Sequence, residues 1–470
     1  MAFLGIDLGT SFIKAAVLDL DERRLQYARR IPFPGPIPGL GPLRCEFDPQ
    51  GIVGAVENLI HEMKDYAVHY EGVVMCAQMS CLVLMNQRGE ARSNCLGWRD
   101  QRALEPHRSG TGSYYEELKR RITAEQRREL GNELPTGAPA TFLFWLAEQR
   151  KLEAVLIPVS LADFVLSTLC SSQPCVESTN AMAYELLRLQ NLQWHSEVLK
   201  ELRLDKLHWP DIRAHGDIVG WLKIGTNTVP CFTPVGDYQC ALAGALLREE
   251  ELSLNISTGS QVSRLTSGLV LGNYQTRPFF DGKYANTLSH LPAGRSLNVL
   301  VDLLSELGRA QGATLPDPWL YIARAAEAIP FPDLQVKLSF FPGPCGETGA
   351  ISNIREQNLS VGTLFKAAFE NMAENYYQCA TRVWPDHSWC SLVFSGGLGR
   401  KLKLLREIIE QRFESEFRLC PVEEDTLLGL MVLASKFSGR TQSVRQAMDE
   451  FRSFYAAGGE ASAQVVEKSS

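Results

Sequence analysis

With 470 residues the chain exceeds what one hydrophobic core usually holds, and two domains are expected. A net charge of -7 without a Lys/Arg block argues against nucleic-acid or anionic-membrane partners, and no apolar run approaches the ~18 residues a membrane helix needs. Twelve cysteines without C-x-x-C spacing or histidine partners suit reduced thiols better than a disulfide framework or zinc site, and with no secretory leader before the first strand a cytoplasmic location is expected.

The chain opens on two apolar strands within residues 3–17, joined by a tight turn at Gly9-Thr10-Ser11. Asp7 stands at the end of the first strand, two residues before a glycine that lets backbone N–H groups approach an anion. Thr10 and Ser11 add hydroxyl donors, and Lys14 adds a positive charge just beyond. Asp7 would repel a phosphate, but it can hold a hydrated Mg²⁺ that touches one. Taken alone, the same residues also describe a plain hairpin with a glycine in its turn. A third strand is expected over residues 25–31, then a Pro/Gly-rich loop over 32–42. Asp48-Pro49 starts a helix whose apolar face is Ile52, Val53, Val56, Leu59, Ile60 and Met63. A buried strand over 73–77 ends at Gln78-Met79-Ser80, and another follows over 82–85. Strands alternating with amphipathic helices predict an α/β layer architecture.

Further on come Gly97-Trp98-Arg99-Asp100-Gln101-Arg102, a helical run to about Gly131, and a helix over 141–150. Glu177-Ser178-Thr179-Asn180-Ala181 reads as a polar turn. Val235-Gly236-Asp237-Tyr238-Gln239 leads into a helix over 240–247, whose small residues suit close packing at a domain junction. Asn255-Ile256-Ser257-Thr258-Gly259-Ser260 then repeats the opening pattern: Ile6 to Thr10 and Ile256 to Ser260 are both Ile-x-x-Gly followed by a small hydroxyl residue. That self-similarity suggests a duplicated domain. A long helix over 359–384, a strand over 391–394, the turn Ser395-Gly396-Gly397-Leu398-Gly399 and a helix from Arg400 follow. Glu424-Asp425-Thr426 starts a further apolar helix, and the periodicity fades past Phe437.

In this order the motifs resemble the FGGY family of carbohydrate kinases, over roughly residues 3 to 437. The resemblance implies an α/β fold of two actin-like (ribonuclease H-like) domains with a nucleotide and sugar cleft between them. The expected division is 1–243, 244–440, and a C-terminal helix and tail over 441–470. It makes the loops at Gly9-Thr10-Ser11, with Lys14, and at Thr258-Gly259 the two phosphate loops, and Gly396-Gly397 the adenosine loop. Asp237 becomes the base that takes the proton from the attacking sugar hydroxyl; the alternative for this residue is a helix N-cap. Gln78, Met79 and Ser80 match a family position that contacts sugar, with Ser80 where xylulose-type members carry histidine. Trp98 becomes an apolar wall and Asp100 a hydroxyl acceptor.

The resemblance thus implies an ATP- and Mg²⁺-dependent enzyme that phosphorylates a terminal primary hydroxyl of a ketose. Stretches such as Trp209-Pro210-Asp211-Ile212 and Gly236-Asp237-Tyr238-Gln239 resemble most the members acting on a seven-carbon sugar. Glycerol-specific members carry Arg-Glu where this chain has Met79-Ser80. Two departures leave substrate choice open: Gly346-Glu347-Thr348 replaces Gly-Glu-Arg, and Ser395-Gly396-Gly397 replaces Gly-Gly-Gly. A five-carbon ketose, or a binding regulator without turnover, stays as an alternative. The expected partners are a small ketose and ATP, with no nucleic acid or membrane, in a monomer or homodimer.

Overall fold

A computed structural model describes residues 1–110, 112–313 and 317–459. Seven strands form the first main sheet. Its path uses β1 (Ala2–Leu8), β2 (Phe12–Asp19), β3 (Arg24–Pro32), β4 (Tyr70–Ala77), β5 (Ile218–Ile224) and β6 (Asn227–Phe232) in the order β5-β6-β4-β1-β2-β3, and Val235–Gly236 also pairs with β4. The second sheet uses β7 (Glu251–Ile256), β8 (Ser260–Thr266), β9 (Gln275–Pro278), β10 (Tyr284–Leu291), β11 (Ser391–Ser395) and β12 (Phe417–Leu419) in the order β9-β10-β8-β7-β11-β12. In both, an antiparallel hairpin carries a glycine loop at its tip, and its first strand pairs in parallel with a later strand: β1 with β4, β7 with β11. The suspected internal repeat is therefore a repeat of topology.

Helix α1 (Pro49–Met63) begins as its sequence predicts, with the Asp48 side chain accepting from the Gln50 N–H and Pro49 in the first turn. Its apolar face and the helix Leu161–Cys170 cover one face of the first sheet. The second sheet packs against α3 (Val361–Val383) and the helix Lys403–Phe413. Between the two sheets lie α2 (Asp237–Gly244), α5 (Asp425–Phe437) and α6 (Val444–Ala456), in a core that takes Phe3 and Leu18 from the first sheet and Leu265 and Val393 from the second. A smaller sheet of Glu46–Phe47, Leu82–Met85, Cys95–Leu96 and Ile157–Ser160 belongs to an insertion with its own aromatic core around Phe142, Trp145 and Tyr184.

Several local expectations shift. The helix read from Cys240 starts at Asp237, and the one read from Arg400 starts at Gly397 as α4 (Gly397–Lys401) before a break at Leu402. The polar turn at 177–181 is a short buried helix, Ser178–Met182, because Glu177 caps it by accepting from the Thr179 N–H. Beyond the fading periodicity, α6 buries Val444, Ala447, Met448 and Phe451 at three- and four-residue spacing. The tail expected at the end of 441–470 lies, from residue 460, outside the described residues. Every cysteine is a free thiol, and no described helix is long and apolar enough to cross a membrane.

Candidate active site

Three parallel strands end side by side. Asp7 on β1 is in register with Cys76 on β4, and Val235 and Gly236 pair with Cys76 and Ala77. This places Asp7, the Gln78-Met79-Ser80 segment and Asp237 at the carboxyl ends of neighbouring strands, where open α/β sheets bind ligands. Gln78 is buried and ties its segment to the first loop: its N–H donates to the Leu8 carbonyl (2.9 Å), and its Oε1 accepts from Thr10 Oγ1 (3.1 Å). The Trp98 indole N–H donates to the same Thr10 oxygen (3.3 Å) and leaves the ring 41% exposed, an apolar surface beside the loop. Gly9 has a steric reason to be glycine, since a Cβ there would lie 3.0 Å from the Phe12 carbonyl. Ser11 is exposed at the tip.

Asp7 is 3% exposed and accepts from Thr426 Oγ1 at 2.7 Å. Lys14 Nζ lies 3.6 Å from Asp7 and 2.6 Å from Glu424. Burial alone would lower Lys14, but Asp7 and Glu424 outweigh it and hold the ammonium above the usual lysine range. Lys14 is thus already paired, where the sequence predicts a cation free for phosphate. Asp237 occupies the first position of α2, with Gly236 at the cap, so no side-chain cap explains it. Burial, then the Asp7 carboxylate, push Asp237 up to about 7, against the Tyr238 N–H and the Arg277 guanidinium. Asp425, at the start of α5, is pushed up to about 6 by burial, with Lys14 opposing.

The second loop is exposed at Ser257, Thr258 and Gly259, and a Cβ on Gly259 would meet nothing within 4 Å. Its carbonyls are held from behind: Gly294 N–H donates to Ser257 and Arg295 N–H to Thr258. Gly396 adopts φ +80°, and a Cβ there would lie 2.5 Å from the Ile256 carbonyl, so only glycine brings this turn against the second loop. Gly397 is open on its exposed side. These three glycine sites, Gly259, Gly396 and Gly397, therefore gather at the ends of β7 and β11.

The remaining expected sugar contacts are placed unequally. Met79 is half-buried between two cores, and a Cβ on Gly236 would lie 3.2 Å from its sulfur. Ser80 is half-buried with φ +61°, its hydroxyl donating weakly to the Ala183 carbonyl at 3.4 Å. Asp100 is fully buried, and both oxygens are engaged: Oδ1 accepts from Arg102 Nε (2.8 Å) and Oδ2 from Arg102 (2.8 Å) and the Cys45 N–H (2.8 Å). The carboxylate expected to take a sugar hydroxyl instead ties down the Trp98 loop.

Three groups at the site carry no motif of their own. Thr179 Oγ1 accepts from the Gly236 N–H (2.9 Å) and Asn180 donates to the Pro234 carbonyl (3.1 Å), fixing the backbone ahead of Asp237. Arg277 packs 4.4 Å over the Tyr238 ring and pairs with Glu133 through two N–H donors. Thr426 and Glu424 reach Asp7 and Lys14 from over 400 residues away in sequence. The signal for Thr179 and Asn180 is a polar cluster between apolar segments, which has to satisfy something; Thr426 stands in the sequence only as part of a helix start, and Arg277 has no signal. A recess of about 570 Å³ bordered by Arg121, Glu197 and Arg203 shares no residue with these loops.

A carboxylate pair at strand ends, with glycine loops at the tips of two like hairpins, suits an anionic ligand and a proton acceptor side by side. Among the described residues no three His, Cys, Asp or Glu side chains form a cation cage. A hard oxygen donor such as Asp7 fits a magnesium ion that keeps its waters and is shared with phosphate oxygens.

The sedoheptulokinase of Homo sapiens is 22% identical over 264 residues, 52% of this chain and 55% of its own. The xylulose kinase of Lactococcus lactis is 24% identical over 284 residues, 57% of this chain and 52% of its own. The chain thus spans about half the length of the curated relatives it matches. A ligand-bound xylulose kinase from Lactobacillus acidophilus superposes with a TM-score of 0.81 at 18% identity, covering 96% of this chain and 92% of that one. The Plasmodium falciparum glycerol kinase with ADP gives 0.81 at 18% identity over 99% and 94%. These likenesses show the two-domain actin-like, ribonuclease H-like fold. Residues 2–244 match the N-terminal domain of the FGGY family of carbohydrate kinases, and the chain belongs to that family.

Proposed function

We propose that the chain transfers the γ-phosphoryl group of ATP to a terminal primary hydroxyl of a ketose, with sedoheptulose, giving sedoheptulose 7-phosphate, as the substrate. The observation that carries the reading is Asp237: a carboxylate at the start of α2, raised to about 7, beside Asp7 and the first glycine loop. An alcohol is a weak nucleophile, and Asp237 takes its proton as the oxygen–phosphorus bond forms and the bond to ADP breaks. Phosphate oxygens lie along Gly9, Thr10 and Ser11 on one side and Thr258 and Gly259 on the other, with the adenosine against Gly396 and Gly397. Asp7 would hold a magnesium ion, which when bound would neutralise phosphate charge. Gln78 and Trp98 form the sugar side, and the halves 1–243 and 244–440 close over both substrates, excluding water.

The heptulose assignment rests on Ser80. A serine in place of histidine leaves room near Met79 for a longer sugar. Xylulose is the second reading, since the Lactococcus lactis xylulose kinase is as similar as the human sedoheptulokinase. Glycerol is disfavoured by Met79-Ser80 in place of Arg-Glu. The test measures ADP release with Mg·ATP and a panel of sedoheptulose, xylulose, ribulose and glycerol. We expect kcat/KM to rank sedoheptulose first and glycerol last, and Ser80→His to shift the ratio toward xylulose. A preference for xylulose in the unaltered protein overturns the heptulose, and no sugar-dependent ADP release overturns the kinase.

A further inference from the structure

We propose that Thr426 is a positioning residue for Asp7: its hydroxyl, delivered by α5 from the other half of the chain, fixes the carboxylate that serves the magnesium nucleotide. The proposal rests on the nucleotide-binding part of the reading above, because it assigns Asp7 a task at the magnesium nucleotide.

Asp7 is nearly buried, and its close partners are few. Thr426 Oγ1 donates to Oδ2 at 2.7 Å, Lys14 Nζ stands off at 3.6 Å, and the Cys76 thiol is 3.6 Å from Oδ1. The threonine therefore makes the one short hydrogen bond given to this carboxylate among the described residues. Lys14 is drawn instead to Glu424, two residues before Thr426, at 2.6 Å. One turn of α5 thus does two things: its neutral hydroxyl donates a hydrogen bond to Asp7, and Glu424 takes the closer contact with Lys14, whose ion pair with Asp7 stays at 3.6 Å. A lysine in direct contact would neutralise the carboxylate and compete with a metal ion. A hydroxyl orients the carboxylate without competing for the metal.

The delivering element is held firmly. A Cβ on Gly429 would lie 1.9 Å from the Cys240 carbonyl, and one on Gly244 would lie 1.8 Å from the Asp425 carbonyl. The contacts are reciprocal, each glycine receiving a carbonyl from four residues before its counterpart. The Cys240 thiol donates to the Thr426 carbonyl at 3.1 Å, and the Thr426 N–H donates to Asp425 Oδ1 at 2.9 Å. Because α2 begins at Asp237, this crossing fixes the proposed base and the anchor of Asp7 in one rigid unit. Threonine suits the task because its branched β-carbon restricts χ1.

The experiment is a double-mutant cycle between Thr426→Val and Asp7→Asn, read as the affinity of a fluorescent N-methylanthraniloyl-ATP with Mg²⁺ and with EDTA. Thr426→Ser and thermal unfolding are measured alongside. Losing a charge-assisted hydrogen bond predicts that Thr426→Val weakens Mg²⁺-dependent binding about tenfold, leaves binding in EDTA nearly unchanged, and is rescued by serine. In the Asp7→Asn background the same substitution should change binding by less than about twofold. An equal loss in both backgrounds, or a serine variant as impaired as valine, overturns the proposal in favour of simple packing. If the cycle behaves as expected while no sugar stimulates ADP release, the kinase reading fails and the positioning role stands. No Mg²⁺-dependent nucleotide binding by the unaltered protein overturns both.

Discussion

Asp237 carries two consequences at the scale of one residue. Its carboxyl is held at about 7 against an ordinary 3.8, chiefly by burial and then by Asp7. In the window between those values the folded chain keeps a proton that the unfolded chain has released, so folding stability falls as pH rises. Asp237→Asn removes this cost: the variant should unfold at the same temperature as the parent near pH 4 and at a higher one at pH 8. The gain at pH 8 should be about 1–3 kcal/mol, because the partly exposed group keeps some of its water. Catalysis runs the other way. The base has to be ionised, so kcat/KM for the parent should fall below about pH 7, and the asparagine variant should lose at least about 10²-fold at all pH values. A variant that is less stable at pH 8, or that turns over sugar normally, would contradict the assignment. Asp237 was legible because Gly-Asp-x-Gln stands in sequence between two glycine loops. Asp100 was legible as a special residue but not in its task, since only three dimensions bring Arg102 and the Cys45 N–H onto its oxygens.

Among elements, the crossing of α2 and α5 shows what small residues achieve. The alanines and Gly244 of the first of these helices predict close packing, but nothing in the sequence marks the partner, because Gly429 sits in an ordinary apolar helix 185 residues later. Glycine inside a helix normally costs about 1 kcal/mol relative to alanine. Gly54 in α1 illustrates the general case: nothing lies within 4 Å of a Cβ there. Gly54→Ala should therefore stabilise the protein by roughly 0.5–1 kcal/mol. Gly429→Ala should do the opposite, by about 1–3 kcal/mol or more, because the helices have to part before a methyl fits beside the Cys240 carbonyl. Urea denaturation of both variants tests the pair of signs. Equal stabilisation by the two would mean that the crossing yields easily, and would weaken the case for α5 as a rigid mount.

For the whole molecule, the repeated hairpin was the part of the architecture that sequence made visible, through Ile6 to Thr10 and Ile256 to Ser260. How the halves are joined was not visible, because joining residues are far apart and unremarkable singly. Among the described residues two of the ties between the halves differ in kind. One is the α2/α5 crossing with its large apolar core, which suits a pivot. The other is a thin polar seam at strand β9: Thr276 N–H donates to the Gly131 carbonyl, the Asn132 amide donates to the Gly272 and Tyr274 carbonyls, and Arg277 pairs with Glu133. If the halves part to admit substrates, the seam is the tie that gives way, since few groups hold it and each can return to water. Glu133→Gln keeps the shape but removes the carboxylate paired with the buried Arg277 guanidinium, leaving the Glu185 carboxyl as its remaining acidic neighbour, a change of roughly 1–3 kcal/mol against the joined state. The ensemble should then favour an open form, with a larger radius of gyration in small-angle scattering than the parent. Ligands that bind only the closed form lose apparent affinity in proportion to its population, so nucleotide and ketose should weaken by the same factor, about tenfold or more. Loss confined to one ligand would make Glu133 a local contact rather than a closing seam. An unchanged radius with both affinities intact would show that the halves stay joined without this ion pair.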